Sequence, residues 1–151
     1  MSLKNFVSGT PDVAEPQESS WQAAVRMRQR AVGSLVIVND DYAAVGIITD
    51  RDLVERVMAA GKDPVATKLA DVMTPAPVTI ADSAEVSEAV NLMRKHGVRR
   101  LPVVNEIDKV CGLISLDDVI ALLAGECENI AQLIKGEMPR GICEATTSRW
   151  E

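Results

Sequence analysis

A mixed α/β fold, of the α+β kind, assembled from two copies of one unit is what this 151-residue chain predicts. Ala23 to Val54 can be written over Ala89 to Ile120 without a gap, an offset of 66 residues, and ten of the 32 positions are then identical. These are Ala23/Ala89, Met27/Met93, Arg28/Arg94, Val32/Val98, Leu35/Leu101, Val38/Val104, Asn39/Asn105, Gly46/Gly112, Ile48/Ile114 and Asp52/Asp118. Other pairs keep their character, as in Ile37/Val103, Ile47/Leu113, Thr49/Ser115 and Leu53/Val119, so the period is that of a structural unit. Within each copy the hydrophobic pattern reads helix, strand, strand, helix.

In copy one, Pro11 to Ala14 is a polar candidate for an extended entry segment. Ser19 and Gln22 bracket the start of a helix through Ala23, Ala24 and Met27. Strands follow at Leu35 to Val38 and Val45 to Ile48, then a second helix holds Leu53, Val54, Val57 and Met58 and stops at Gly61. Residues 61–70, with Pro64, link the copies, and Asp71 to Thr74 suits one helical turn before the extended Pro77 to Ile80.

In copy two, Val86, Ala89, Val90 and Met93 share a helical face, Asp82 and Glu85 suit a capping box, and Gly97 is a stop. Leu101 to Val104 and Val110 to Ile114 read as strands joined through the short polar loop Asn105 to Lys109. The last helix, from Ser115, would turn Val119, Ile120, Leu122 and Leu123 inward before Gly125. Beyond it, Ile130, Leu133 and Ile134 suit a short amphipathic helix broken by Pro139 and Gly141, and Ala145 to Glu151 a loose tail. The expected division is a first repeat over 7–62, a second over 63–125 and a C-terminal piece over 126–151.

Composition limits what such a chain can do. Hydrophobic residues make up 47% and aromatics only 3%, so aliphatic side chains and Met must fill the core. A net charge of −6 opposes a surface for nucleic acid or anionic lipid, leaving local basic groups to carry any anion binding. Cys111, Cys127 and Cys143 are odd in number and evenly spaced by 16, which matches neither metal ligation nor a disulfide framework. With no apolar run of bilayer length and no signal-peptide core, a cytoplasmic protein is expected. His96, the single histidine, falls at a helix end where it favours the dipole, and Trp21 suits packing or cover for a planar ligand.

One motif recurs: Gly46-Ile47-Ile48-Thr49-Asp50-Arg51-Asp52 and Gly112-Leu113-Ile114-Ser115-Leu116-Asp117-Asp118. It puts a hydroxyl and, three residues on, a carboxylate where a strand turns into a helix. A capping box accounts for that pattern by itself. A binding site accounts for it too, because Thr49 or Ser115 could join helix-start amides on a phosphate while Asp52 or Asp118 accepts hydrogen bonds from ribose hydroxyls.

The duplicated unit, the stretch Val98-Arg99-Arg100-Leu101-Pro102-Val103-Val104, the lead-in Asp71-Val72-Met73-Thr74 and both Gly-x-x-Thr/Ser-x-x-Asp motifs together resemble a tandem pair of cystathionine-β-synthase (CBS) domains, a Bateman module. The resemblance covers roughly residues 7–125. It implies two β-α-β-β-α repeats packed through their sheets about a pseudo-twofold axis, with adenosine-containing ligands in clefts between them. One cleft would join Thr49 and Asp52 to Thr79, Ile80, Val98, Arg99 and Arg100, with Pro102 beside them. Its mate would join Ser115 and Asp118 to Val13, Ala14, Gly33 and Ser34. Arg99 and Arg100 become Gly33 and Ser34 in copy one, and Pro102 becomes Val36, so the first cleft is the better anion site, with Arg100 as its phosphate ligand.

The implied protein is a non-enzymatic sensor of AMP, ADP, ATP or S-adenosylmethionine that needs no cofactor or metal and regulates an unidentified partner. A homodimer is also implied, through helix faces around Leu53, Val57, Ile120 and Leu123. The alternative is an interaction module with empty clefts, whose contacts would include the Asp40-Asp41 loop and the tail.

Overall fold

A computed structural model describes residues 2–5, 7 and 11–137, with side chains to residue 134. It divides into two compact units, one ending at Leu116 and one beginning at Asp117. In the first unit the order is β1 (Val13–Ala14), α1 (Ser20–Arg30), β2 (Ser34–Val38), β3 (Ala44–Thr49), α2 (Asp50–Leu53), β4 (Thr74–Pro75), β5 (Ile80–Ala81), α3 (Val86–His96), β6 (Arg100–Val104) and β7 (Val110–Ser115). The second unit is the body of α4, a helix that runs Leu116–Glu137.

Both repeats start a helix through reciprocal capping. Gln22 Oε1 accepts from the Ser19 N–H at 2.8 Å while Ser19 Oγ accepts from the Gln22 N–H at 3.2 Å. In the second repeat the cap lies one turn later than the Asp82/Glu85 pairing expected, because the Asp82 N–H still donates to Val104 O of the sheet at 2.9 Å. Glu88 accepts the Glu85 N–H at 2.8 Å instead. The two helices end in left-handed residues at matching positions, Ala31 at φ 55° and Gly97 at φ 65°. Of the α3 face read from the sequence, Ala89 and Met93 are buried but Val90 is exposed.

The strands pair as two sheets, β1-β2-β3-β4 and β5-β6-β7. The hairpins are copies of each other. Asn39 Oδ1 accepts from the Asp41 and Ala43 amides at 3.1 and 2.9 Å, and Asn105 Oδ1 from the Ile107 and Lys109 amides at 3.1 and 3.0 Å. Each side chain thereby satisfies loop donors that the ladder cannot reach, which explains why this pair is identical. One difference is chemical: Val36 donates its N–H to Asp12 O at 3.1 Å, whereas Pro102 at the equivalent place has none to give.

All five residues of β2 are buried, and its two faces serve different cores. Leu35 and Ile37 pack with Ala14, Ala23, Met27, Ile48, Val57, Leu69 and Val72 under the helices of the first repeat. Val36 and Val38 pack with Val104 and Val110 of the second repeat, bordered by Val13, Tyr42, Ala44 and Leu113. The Val110 N–H also donates to Tyr42 O at 3.0 Å. Packing the repeats through their sheets is therefore what lets β2 be apolar at four consecutive positions, Leu35 to Val38.

The motif glycines are required by crowding. A Cβ at Gly46 would collide with the Met73 side chain, and one at Gly112 with Val7. Met73 belongs by chain order to the second repeat yet lies on the first, beside β4, which pairs with β3. Val7 opens the first repeat yet lies on the second, where Leu3 is fully buried and donates its N–H to Ala84 O at 2.9 Å.

Three further expectations change. After α2 the chain widens into a π-turn over Val54–Met58, closed by the Ala59 N–H to Val54 O bond at 2.8 Å. Asp71 closes a short 3-10 turn, Leu69–Asp71, and Thr74 already belongs to β4. Helix α4 does not stop at Gly125 and restart near Ile130 but is continuous, since one glycine costs only about 1 kcal/mol relative to alanine among strong helix formers. Val119 is buried, but Ile120, Leu123, Ile130, Leu133 and Ile134 are exposed. Pro139, Gly141 and the tail Ala145 to Glu151 lie outside the described residues.

Two pairs of substitutions test these constraints. Gly112→Ala should destabilise by about 1–3 kcal/mol through overpacking, while Gly125→Ala, with open space around its Cα, should be neutral or stabilise by up to ~1 kcal/mol in urea unfolding. Ala31→Gly should relieve a left-handed alanine and raise stability by about 1 kcal/mol, and Gly97→Ala should cost a similar amount.

Candidate functional site

The site begins where a strand hands over to a helix. Ser34 pairs with Thr49 across β2 and β3, and Arg100 pairs with Ser115 across β6 and β7, so the two repeats present matching corners. Each corner is closed by the same bond: the Asp50 N–H donates to Gly33 O at 3.0 Å, and the Leu116 N–H to Arg99 O at 2.8 Å.

In the first repeat the hydroxyl and carboxylate of the motif cap one another. Asp52 Oδ2 accepts from the Thr49 N–H at 2.9 Å, and Thr49 Oγ1 accepts from the Asp52 N–H at 3.1 Å. Asp52 Oδ1 also pairs with Arg56 Nη2 at 3.0 Å. Arg56 in turn donates to Val72 O at 2.7 Å and to Thr74 Oγ1 at 3.1 Å, tying this corner to the lead-in of the next repeat. Each Asp52 oxygen keeps a lone pair beyond these bonds, so the carboxylate can cap and still accept from a ligand.

The amides at this corner are engaged within the chain. Besides the Asp50 and Asp52 N–H groups, the Arg51 N–H donates to Asp50 Oδ1 at 2.8 Å. The Arg51 guanidinium points outward to Glu55 at 2.7 Å, which holds its proton more firmly still. An anion here would therefore look to a side-chain cation rather than to the start of this four-residue helix.

That cation comes from the other repeat. A Cβ built on Gly33 would lie 3.4 Å from Asp50 Oδ2 and 3.8 Å from Arg100 Nη2. Arg100 is half-buried, and among the described residues it has no ion-pair partner. Gly33, Ser34, Thr49, Asp50, Asp52 and Arg100 thus meet at one corner, although Gly33 and Ser34 were expected in one cleft and Arg100 in the other. Asp50 was passed over in the sequence, where its only signal is that its partner across the repeat is the apolar Leu116.

The other expected site residues are spread more widely. Thr79 is exposed and lines an open groove of about 450 Å³ with Ile80, Glu88, Asn91, Leu92 and Lys95 on the β5–α3 side of the second repeat. The side chains of Ala14 and Ile80 are buried, Val13 borders the packing between sheets, and Pro102 is buried within β6. Val98 is half-buried with its N–H on Met93 O at 3.0 Å. Arg99 is exposed, Ser115 ends β7, and Asp118 lies in the first turn of α4.

His96 is the last residue of α3, and Trp21 is 54% exposed at the start of α1. Among the described residues no group of His, Cys, Asp and Glu is arranged to hold a metal ion, and no helix is long and apolar enough to cross a membrane. Cys111 is half-buried, and burial, assisted by the charge of Asp82, pushes its thiol up; Cys127 is exposed.

Two sheet-packed repeats with mirrored strand-to-helix corners define a duplicated binding module. The CBS domain family profile matches residues 4–59 and 69–125, and the chain belongs to that family as a tandem CBS pair. It is 40% identical over 118 residues to the uncharacterized protein YlbB of Bacillus subtilis, covering 78% of each chain. An uncharacterized protein of Methanopyrus kandleri is 40% identical over 105 residues, which are 70% of this chain but only 54% of that one, so the chain spans about half of that relative. Among solved structures, the CBS domain pair of protein MJ0100 in complex with 5′-methylthioadenosine and S-adenosyl-L-methionine superposes with a TM-score of 0.75 at 25% identity, covering 83% of this chain and 98% of that one.

Asp52→Ala should remove the cap and strand Arg56, destabilising the ligand-free protein by about 1–2 kcal/mol in denaturant unfolding. Residue-resolved alkylation should label Cys127 well before Cys111, and raising the pH should accelerate Cys111 as its elevated thiol begins to ionise.

Proposed function

We propose that this CBS pair is a non-catalytic regulatory module that binds an adenosine-containing metabolite at the corner formed by Thr49, Asp52 and Arg100. The observation that carries the reading is that Arg100 of the second repeat, which has no ion-pair partner among the described residues, reaches Gly33 at the first repeat's corner, where the Thr49/Asp52 cap leaves the carboxylate spare acceptor capacity. Asp52 would accept from the ribose hydroxyls and Thr49 would steady it, with Val98, Arg99 and Pro102 shaping the approach from the second repeat. The adenosyl complexes of the MJ0100 pair support the ligand class. Ser34 and Leu116 carry no charge where the first corner has Arg100 and Asp50, so the corner at Ser115, expected to draw on Asp118, would bind more weakly.

The module would act in the cytoplasm as a homodimer that passes ligand occupancy to a partner protein. Of the residues expected at the dimer face, Val57 is buried in the first repeat's core with Leu53 packed against it, while Ile120 and Leu123 are exposed. Val54 and Met58 in the first unit, and separately Ile120 and Leu123 in the second, are the exposed apolar candidates. A second reading, an interaction module with unused clefts, draws support from the Thr49/Asp52 cap being complete without a ligand and from the exposed face of α4.

Thermal unfolding against adenine, guanine and adenosyl compounds separates the two. A ligand at about 100 times its Kd adds roughly 2.7 kcal/mol, a shift of several degrees. The sensor reading expects selective stabilisation by adenosine compounds, with Asp52→Ala weakening binding about tenfold through lost hydrogen bonds. A flat response, with Asp52→Ala merely less stable, would establish the interaction module. Met58→Glu and Leu123→Glu should each shift the oligomer toward monomer in light scattering.

A further inference from the structure

Helix α4 carries an apolar seam that the fold leaves exposed. It runs on to Glu137, past the end of the second matched CBS repeat at residue 125. Val119 is buried and Leu122 half-buried, but Ile120, Leu123, Cys127, Ile130 and Ile134 are all exposed. Their spacing alternates between three and four residues, the pattern of a heptad with Ile120, Cys127 and Ile134 at a and Leu123 and Ile130 at d. Gly125, Glu128, Asn129 and Gln132 fall on the opposite face. From this we infer that α4 pairs with α4 of a second copy as a parallel, in-register, two-stranded coiled coil. The inference rests on the homodimer reading and names the helix pairing within it.

A stripe that repeats at the a and d positions stays in contact with another helix coiled around it, because a straight α-helix drifts away from that repeat. Helices α1 and α3 turn Ala23 and Met27, and Ala89 and Met93, inward, so the matching helix that the chain supplies is a second α4. Charge selects the direction. In a parallel pair Glu126 at g faces Ala131 at e of the second copy, and no like charges meet along the seam. An antiparallel pair that sets Ile120 against Ile130 and Leu123 against Cys127 would bring Glu126 onto Glu126 of the second copy. Ala124 and Ala131 at e are small enough for close approach. Isoleucine at a with leucine at d, as in Ile120 and Leu123, favours two parallel strands, and Ile130 at d is the one departure. From Ile120 to Ile134 the seam covers ~21 Å, short of the three or four heptads that argue for a coiled coil by pattern alone. The pairing therefore adds to the association of the repeats, which hold the two helices at high effective concentration.

The test is disulfide mapping in the full chain, with light scattering to give the oligomeric state. In a Cys111→Ser, Cys143→Ser background, one protein keeps Cys127, and three more carry Cys127→Ala with Ile120→Cys, Ile134→Cys or, on the outer face, Gln132→Cys. Each is first checked for a native unfolding transition and then treated with diamide. Linking joins two thiols by an S–S bond and passes their two protons and two electrons to the N=N bond of the reagent. Cysteines at 120, 127 and 134 should link about tenfold faster than the cysteine at 132, since only paired a positions hold two Cα atoms within disulfide reach. Linking at 127 without 120 and 134 would overturn the inference in favour of an antiparallel pair. Equal rates at all four positions would overturn it as random collision. A dimer by light scattering in which no position links would overturn it while leaving the homodimer intact. A monomer that links at none would overturn the homodimer reading as well and leave the seam to a different protein.

Discussion

The structure depends on burying one sheet against another. Val36 and Val38 on β2 need cover on the face turned away from their own helices, and Val104 and Val110 of the second repeat supply it. Burial of a valine contributes on the order of 1.5–3 kcal/mol, so this seam is a substantial share of the marginal stability of a domain this size. Its consequence for function is positional. By fixing β2 beside β6 and β7 it brings Arg100 to the corner that Gly33, Thr49 and Asp50 build, so a charge from one repeat reaches a corner of the other.

That corner also keeps acceptor capacity beyond what its capping uses. Thr49 and Asp52 satisfy each other's amides, yet two bonds do not exhaust a carboxylate. The Arg56 pair adds a link from Asp52 to Val72 and Thr74. A ligand drawing on Asp52 would therefore compete with, or reinforce, the tie between the first corner and the chain entering the second repeat, which is a physical route from occupancy to shape.

Much of this was legible in the sequence because duplication makes each copy a check on the other. Several of the ten identities fall on positions with a mechanical job: Leu35/Leu101 in the cores, Asn39/Asn105 in the hairpins, Gly46/Gly112 under a crossing side chain. Less legible was whatever depends on three-dimensional neighbours. Gly125 reads as a stop, but propensity on either side carries α4 through it. Asp82 reads as a cap, but its amide is claimed by a strand. The family resemblance implies Val57 at a dimer interface, and only the fold shows it turned into the core. Asp50 was overlooked because a motif read for its shared letters hides the position where the copies disagree.

The crossing of the lead-ins has a consequence for how the two halves can exist at all. Met73 and β4 belong by chain order to the second repeat but complete the first, while Leu3 and Val7 stand at the head of the first but complete the second. Each half is therefore finished by the other's leading segment, like two hands that clasp. A repeat cut out at its own boundaries would expose the β3 edge or the hollow over Gly112, and would recover cover by borrowing the missing segment from another molecule. Partial unfolding of one half strips the other in the same event, so the pair is held to a single transition by its threading as much as by its seam.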